Sequence, residues 1–376
     1  MMCAGIGHGW VQQWNWEPVG LGSSRRKAGY ATTDFRRFAG PSWFYGPCFY
    51  GPRSGGNMAR ADRFAATLTK SDSIPGRAAT RMCGERSAGS APGIASGRRL
   101  HPLLAAWARY ASLLDPIAAT TIEVLERERH LAEAGDRVAR PAFRAQDAAL
   151  LADGLHYETR IAERAVLTTR EQNPHDLFNA LVWLRHPQLK LALNARQVAD
   201  IAEVGPKRRT RGQCAMTHFD EAGAIVWCAD PALVMLWDRH DWVGLFLRER
   251  AAWGTRIAIT VFGHALLERQ FAGSDALSTT KAIAVHVCAD DIVARCVEGS
   301  IIAQWAQAEA LIAAEIRDGR LLTDPQELRP LPLVGIPGWH VEGASTAFYS
   351  DAPCFRPLRP GRRYPPAFVP SSMPLR

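Results

Sequence analysis

The chain has 376 residues, of which 47% are hydrophobic and 22% charged, a composition typical of a globular protein with a sizeable core. Its net charge of +8 comes from one end: residues 1–99 carry 14 Lys and Arg against 5 Asp and Glu, and the other 277 residues carry 31 against 32. The basic balance therefore does not predict that the main part of the chain binds nucleic acid or an acidic membrane. The chain contains no apolar run of about 18 residues, the length that would predict a membrane span. Its start also lacks the pattern of a secretory signal. We therefore expect a cytoplasmic protein.

The chain is predicted to divide into three parts. Residues 1–98 contain stretches such as "GPSWFYGPCFYGPRSGG" and show no sustained apolar period of about 2 or 3.6 residues. We interpret them as a disordered extension or as the product of a mis-assigned translation start. Residues 99–360 are predicted to form a single globular domain, and residues 361–376 a tail.

Apolar residues at helical spacing predict two helices at the start of this domain, in "HPLLAAWARYASLLDP" and in "IAATTIEVLERERHLAEAG". A third helix is predicted from Ala148 to Val166, interrupted at Gly154. The next one has the strongest start signal. In "TTREQNPHDLFNALVWLRHP", Asn173 is a suitable N-cap, Pro174 suits the first helical position, and Asp176 lies where a carboxylate meets free amide groups.

The following segments are less uniform. A helix in "QLKLALNARQVADIAEVG" is predicted to stop at Gly205. In "CAMTHFDEAGAIVWCAD", two β-prone runs flank Asp-Glu-Ala-Gly and predict a β-hairpin. Helices are predicted at 231–250, from Trp253 to about Phe271 and at 299–318, and "TTKAIAVHVC" fits either a strand or a helix.

The last segment, from Leu321 to Arg376, is rich in proline and aromatic residues, which favours an extended wrap over the helical body. The predicted fold class is therefore mainly α (α+β): a single helical domain with one small β-hairpin and a proline-rich extended C-terminal wrap.

Seven sequence blocks occur in an order and at separations that match one family. They are "YETRI", "TTREQNPHDLFNALVWL", "LKLALNARQ", "FDEAG", "FGHALLE", "LPLVGIPGW" and "FYSDAPCFRP". Over about residues 100–360 the chain resembles a family found mostly in proteobacteria and designated domain of unknown function thirty twenty-five. The resemblance implies a bacterial protein and an intact family domain, but it brings no reaction with it.

Two helices carry the candidate catalytic residues. His175 and Asn179 are four residues apart and share a helix face, as do His264 and Glu268. With Asp176 nearby, the two histidines and the carboxylates could bind Zn²⁺, Mn²⁺ or Fe²⁺. The same residues could act without metal, with a histidine as general base and Asn179 holding an oxyanion.

The spacing matches no metal motif with a known mechanism, and the eight cysteines contain no C-x-x-C pair, so the metal stays an open question. Four further residues are candidates for binding a phosphate or carboxylate of a substrate: Arg170, Lys190, Asn194 and Lys281. The alternative for Arg170 is a local ion pair, and for the other three residues a solvated face, which is the commoner arrangement.

Two hypotheses from different classes follow. The first is a hydrolase or metal-dependent enzyme whose His/carboxylate site lies between two helices. The second is a non-catalytic binding or scaffold protein in which these residues form a buried structural network. The partner would be a small molecule or a protein, and nucleic acid is the least supported partner. If there is a joint site, we expect the imidazoles of His175 and His264 to lie within about 5 Å of each other, with a carboxylate converging on them.

Overall fold

The computed structural model describes residues 101–114, 120–272, 278–289 and 301–370, with only the backbone described at 301–306. The predicted extension at residues 1–98 lies outside the described residues. In the described part of the chain, no helix combines the length and the apolar character that a membrane span requires.

The prediction of a mainly helical domain with one hairpin is wrong, because the fold is mixed α/β and contains two sheets. Six strands form these sheets: β1 (Ala142–Ala145), β2 (Val166–Thr169), β3 (Gly223–Cys228), β4 (Ile257–Val261), β5 (Thr279–His286) and β6 (Arg329–Pro332). Strands β1 and β2 form a parallel pair. The larger sheet has the order β4-β3-β5-β6, with β3 antiparallel to β4 and parallel to β5, and β5 antiparallel to β6.

Helices connect and cover these strands. The α-helices are α1 (Pro102–Ala105), α2 (Ala111–Leu114), α3 (Ile122–Asp136), α4 (Ala148–Leu151), α5 (Tyr157–Arg164), α6 (Pro174–Arg185), α7 (Pro187–Val204), α8 (Arg211–Ala222), α9 (Pro231–Asp238), α10 (His264–Phe271), α11 (Ile301–Arg317) and α12 (Thr346–Asp351). Short 3₁₀ turns lie at Ala108–Tyr110, Arg250–Ala252, Pro325–Glu327 and Leu333–Gly335, and a π-helical turn at Val243–Arg248. The predicted helix stop at Gly205 is confirmed by the end of α7.

The prediction of a hairpin is wrong, because the segment predicted as its first strand forms helix α8. A capping box starts this helix, because the Thr210 side chain accepts a hydrogen bond from the Gln213 amide and the Gln213 side chain accepts one from the Thr210 amide. Only the second run forms a strand, β3, and all six of its residues are buried. Strand β3 pairs with β4 and β5, which lie later in the chain, and not with the segment directly before it.

The helix predicted from Trp253 to about Phe271 divides in two. Its first half contains the strand β4, because the β-branched residues of "IAITV" pair with β3. Phe262 and Gly263 break the run, and α10 begins at His264. The segment that fitted either strand or helix is the strand β5.

The C-terminal segment, predicted to wrap over a helical body, contributes to the sheet. Strand β6 begins at Arg329 and pairs along β5 as an edge strand, a position that tolerates its two prolines. Further along, Phe368 bridges Val285 at the other end of β5. This segment therefore extends and closes one side of the sheet.

The core lies around the larger sheet and the helices that cover it. Both faces of β3 are buried, as expected for a central strand with helices on each side. Helix α6 buries seven of its twelve residues, and α10 contacts both α6 and α8. The beginnings of α6 and α10 thus meet the end of α8 at one edge of the core.

Candidate functional site

His175 is placed by the start of helix α6. The Asn173 side chain accepts a hydrogen bond of 3.0 Å from the Asp176 amide, and Pro174 occupies the first helical position, so the predicted helix start is confirmed. His175 follows directly, on a turn whose backbone is fixed by the cap. Its side chain is 41% exposed.

His264 is placed by a close approach of two backbones. It is the first residue of α10, and Gly263 before it lies against the end of α8. A Cβ atom at Gly263 would come within 2.5 Å of Ala222 Cα and 2.6 Å of Glu221 O, so only glycine fits there. The Gly263 amide also donates a 2.9 Å hydrogen bond to the Gly223 carbonyl. This contact holds His264 beside Glu221.

The two histidines meet ring to ring between the helices. Their Nε2 atoms are 3.2 Å apart and their ring centroids 4.6 Å apart, with the planes inclined by 76°. Glu221 Oε2 lies 3.5 Å from His264 Nε2. One ligand atom from each of His175, Glu221 and His264 lies within 4.8 Å of the other two. We refer to these three residues as the His-Glu-His cluster.

Glu268 orients His175 through a hydrogen bond with the ring nitrogen that does not face His264. Its Oε2 lies 3.0 Å from Nδ1 of His175, on the opposite edge of the ring from the cluster. An ionised carboxylate can only accept, so Nδ1 carries the hydrogen and, in the neutral ring, the Nε2 lone pair faces His264. Carboxylates in this position commonly fix the tautomer of a metal-binding histidine.

The two imidazoles have opposite electrostatic environments. The hydrogen bond to Glu268 raises the pKa of His175, with a further contribution from the charge of Glu221. Burial lowers the pKa of His264, whose side chain is only 4% exposed. His264 Nδ1 is buried and makes no hydrogen bond among the described residues. His264 therefore favours the neutral form that binds metal ions.

Two predicted residues lie together but outside the cluster. Arg170 and Asp176 form an ion pair of 2.8 Å, and Asp176 also accepts a hydrogen bond of 2.8 Å from the Arg170 amide. The carboxylate of Asp176 thus closes the turn before α6.

Asn179 and Lys190 are joined beside the cluster. Lys190 Nζ lies 2.9 Å from Asn179 Oδ1 and 2.6 Å from Asp220 Oδ1. Although burial opposes it, the charge of Lys190 and its hydrogen bond hold the pKa of Asp220 below its ordinary value. Lys190 is buried, so its charge is compensated inside the protein.

The remaining two predicted residues, Asn194 and Lys281, are not members of the cluster. Asn194 Nδ2 donates hydrogen bonds of 2.8 Å to the Glu158 carbonyl and 2.7 Å to its Oε2. Lys281 is half-buried on β5, opposite Gly223 in register. Burial lowers the pKa of His218, and the charge of Lys281 adds to this effect. The substrate-binding roles of Asn194 and Lys281 stay predictions.

A surface groove of about 640 Å³ lies along α3. Its walls include Ile122, Leu131 and Arg144 but no residue of the His-Glu-His cluster. This groove is therefore separate from the His-Glu-His cluster.

Sequence reasoning missed Glu221. It assigned "FDEAG" to a hairpin turn, where a carboxylate would face solvent. In the structure, Glu221 lies in the last turn of α8, and its side chain is directed to His264. The signal that could have found it is the helical spacing of Ala215, Met216 and Phe219, all of which are buried.

Comparisons with known proteins identify the family of this chain but assign it no function. Neither the curated proteins nor the solved structures gave a match to this chain. One family model matches residues 142–359, which include every residue of the cluster and Glu268. The chain therefore belongs to the family described as "Protein of unknown function (DUF3025)".

Proposed function

We propose that His175, Glu221 and His264 bind a divalent transition-metal ion and that the protein is a metal-dependent hydrolase. The observation that carries this proposal is the convergence of two imidazole nitrogens and one carboxylate oxygen within 4.8 Å of one another. Each residue comes from a different helix.

The spacing of the donor atoms suits a metal. Two nitrogen ligands held at about 2.0–2.1 Å in a tetrahedral arrangement lie about 3.3–3.4 Å apart. The two Nε2 atoms are 3.2 Å apart, so a small adjustment would accommodate a shared ion. Two lone pairs facing each other at this distance repel unless a cation or a proton lies between them.

The donor set points to catalysis over a purely structural role. Two histidines and one glutamate, with one position left open, form a common ligand set of catalytic zinc sites, whereas structural sites fill all four positions with protein ligands. The Glu221 side chain is 42% exposed, and that of His175 41%, so solvent and substrate can reach the open side. A divalent ion there would lower the pKa of a bound water to about 7 and supply a nucleophile for hydrolysis.

The metal-free alternative has its own support. If His264 carries its hydrogen on Nε2, it can donate to His175, which in turn donates through Nδ1 to Glu268. That chain of hydrogen bonds would tie α6 to α10 in a non-catalytic scaffold. It would bind no metal, so metal binding distinguishes the two functions.

The test is the metal content of the purified protein after equilibration with Zn²⁺, Mn²⁺ or Fe²⁺ and removal of excess ions. We expect about one ion per chain in the wild type and in His130→Ala, whose histidine is exposed on α3. We expect none in His264→Ala. Equal metal content in His264→Ala and wild type would place the ion elsewhere, and no metal in any of the proteins would favour the scaffold.

A further inference from the structure

A chain of polar contacts leads from Asp220, the neighbour of Glu221 on α8, to Tyr157 at the start of α5. Lys190 Nζ contacts Asp220 Oδ1 at 2.6 Å and Asn179 Oδ1 at 2.9 Å. Asn179 Nδ2 lies 3.1 Å from the hydroxyl oxygen of Tyr157. Four helices, α5 to α8, each contribute one residue to it.

The chemistry of lysine fixes the direction of these hydrogen bonds. An ammonium group can only donate, so the Asn179 atom facing Lys190 must be the carbonyl oxygen. The other end of that amide is then the NH₂ group, which can only donate to Tyr157. The Tyr157 oxygen therefore accepts, and its own proton is directed elsewhere.

Among the residues that the structure describes, no acceptor takes that proton: the Tyr157 hydroxyl has no hydrogen-bond partner other than Asn179. The Tyr157 residue as a whole is partly exposed, while its hydroxyl lies in a densely packed environment. Burial raises the pKa of Tyr157 well above its ordinary value, so the hydroxyl keeps its proton over the physiological range.

Two members of this chain of contacts adjoin residues of the His-Glu-His cluster: Asp220 precedes Glu221 on α8, and Asn179 lies one turn after His175 on α6. Asn179 follows His175 by four residues on α6, and such pairs lie one above the other, about 5–6 Å apart at Cβ. Asp220, at the other end of the chain, is close enough for its charge to act on Tyr157, His175 and His264. A substrate that extends from the cluster by about one helical turn along α6 would reach Asn179 and the hydroxyl that it contacts.

We propose that the Tyr157 hydroxyl donates a hydrogen bond to an oxygen of the substrate that is held at the His-Glu-His cluster. Lys190 and Asn179 act as positioning residues for this hydroxyl. The inference rests on the proposed function. It assigns the substrate to compounds whose oxygen gains negative charge on hydrolysis, acyl or phosphoryl, because a fixed donor stabilises such an oxyanion.

The test uses the full chain loaded with Co²⁺, whose visible absorption band reports both metal binding and the arrival of an anion. Inorganic phosphate is the probe. We expect Tyr157→Phe to bind phosphate about 10–100-fold more weakly, the range for losing one hydrogen bond to a charged group. Its Co²⁺ affinity should equal that of the wild type.

Tyr364→Phe is the matched control, because Tyr364 is also half-buried and its hydroxyl makes a 3.1 Å hydrogen bond, to His240. It should bind phosphate as the wild type does. Asn179→Asp is a second variant: its carboxylate would accept the Tyr157 proton, so phosphate binding should weaken with the Tyr157 side chain intact.

The outcomes separate the two proposals. Phosphate affinity that is unchanged in both Tyr157→Phe and Asn179→Asp overturns the role of Tyr157 and leaves the metal site standing. A wild-type spectrum that phosphate does not alter has the same consequence. Wild-type protein that fails to bind Co²⁺ overturns the proposed function and this inference with it.

Discussion

The Nε2 atoms of His175 and His264 lie 3.2 Å apart although 89 residues separate them in the chain. Two local devices produce this contact. The Asn173 cap fixes the first turn of α6, and the Gly263 backbone lets α10 begin directly against the end of α8. The same arrangement places Glu221 beside His264, so the three ligand atoms of the cluster depend on how these helices start and stop.

Replacing Gly263 tests the close approach. In Gly263→Ala the added methyl group would overlap Ala222 and Gly223, and we expect a loss of about 1–3 kcal/mol in the free energy of unfolding, the usual cost of overpacking. The added methyl group would push α8 and α10 apart, and this would move Glu221 away from His264. Zn²⁺ affinity should therefore fall as well. Urea denaturation and calorimetric titration measure the two effects.

Gly135→Ala is the control for this change, since a Cβ at Gly135 in α3 meets nothing within 4 Å. It should leave Zn²⁺ affinity unchanged and stabilise the protein by about 0.5–1 kcal/mol, as alanine does in helices. A Gly263→Ala protein as stable as the wild type would contradict the role given to this glycine.

Glu268 is predicted to act through His175 and not as a ligand. Glu268→Gln should weaken Zn²⁺ binding about 10–100-fold, the range for removing an outer-shell partner of a metal-binding histidine. Glu221→Gln should weaken it more, because it removes a ligand atom. Competition with a chromophoric chelator gives both affinities, and Glu163→Gln, on an exposed residue of α5, serves as the control. A larger loss from Glu268→Gln than from Glu221→Gln would reverse the assignment.

Metal binding should weaken as the pH falls, and His175 should set the midpoint. The hydrogen bond to Glu268 raises the pKa of His175, so this ring takes up a proton first and then cannot bind a metal. Burial lowers the pKa of His264, which stays neutral to lower pH. Below the pKa of His175, log affinity should fall by about one for each pH unit, since one proton competes with the ion.

Zn²⁺ titrations between about pH 5 and pH 8 measure this dependence. In Glu268→Gln the loss should begin at lower pH, because the interaction that raises the His175 pKa is weakened. An affinity that does not change across this range would argue against a histidine ligand.

The Asn173 cap is predicted to contribute to stability. Asn173→Ala removes the acceptor of the Asp176 amide and should lower the free energy of unfolding by about 1 kcal/mol, whereas Asn173→Asp should cost much less. Chemical denaturation of the three proteins measures this difference. Equal stability of Asn173→Ala and the wild type would show that water replaces the cap without cost.

The features that depend on short stretches of sequence were predicted from it. The Asn173-Pro174 start of α6 and the end of α7 at Gly205 rest on residues within one turn, so they are visible locally. The larger sheet was not predicted, because β3 pairs with strands that begin more than 30 residues later. Its fully buried sequence also lacks the alternation that marks a half-exposed strand.

The candidate site was predicted in part for the same reason. His175 and His264 stood out as polar residues in apolar helices, and the structure brings them together. Glu221 was not predicted because the segment of α8 was assigned to a hairpin. Tyr157 was not predicted because the sequence does not indicate the direction of a hydrogen bond. Their roles depend on contacts between helices, which the order of residues does not show.

X-ray absorption at the zinc edge on Zn²⁺-loaded protein, with anomalous scattering from crystals of the same sample, would show directly whether His175, Glu221 and His264 bind a metal ion. We expect one ion bound by His175 Nε2, His264 Nε2 and a Glu221 oxygen, at about 2.0–2.2 Å, with a further light atom at the open position. An ion bound elsewhere, or a cluster in which His264 donates a hydrogen bond to His175 and no ion is present, would contradict it.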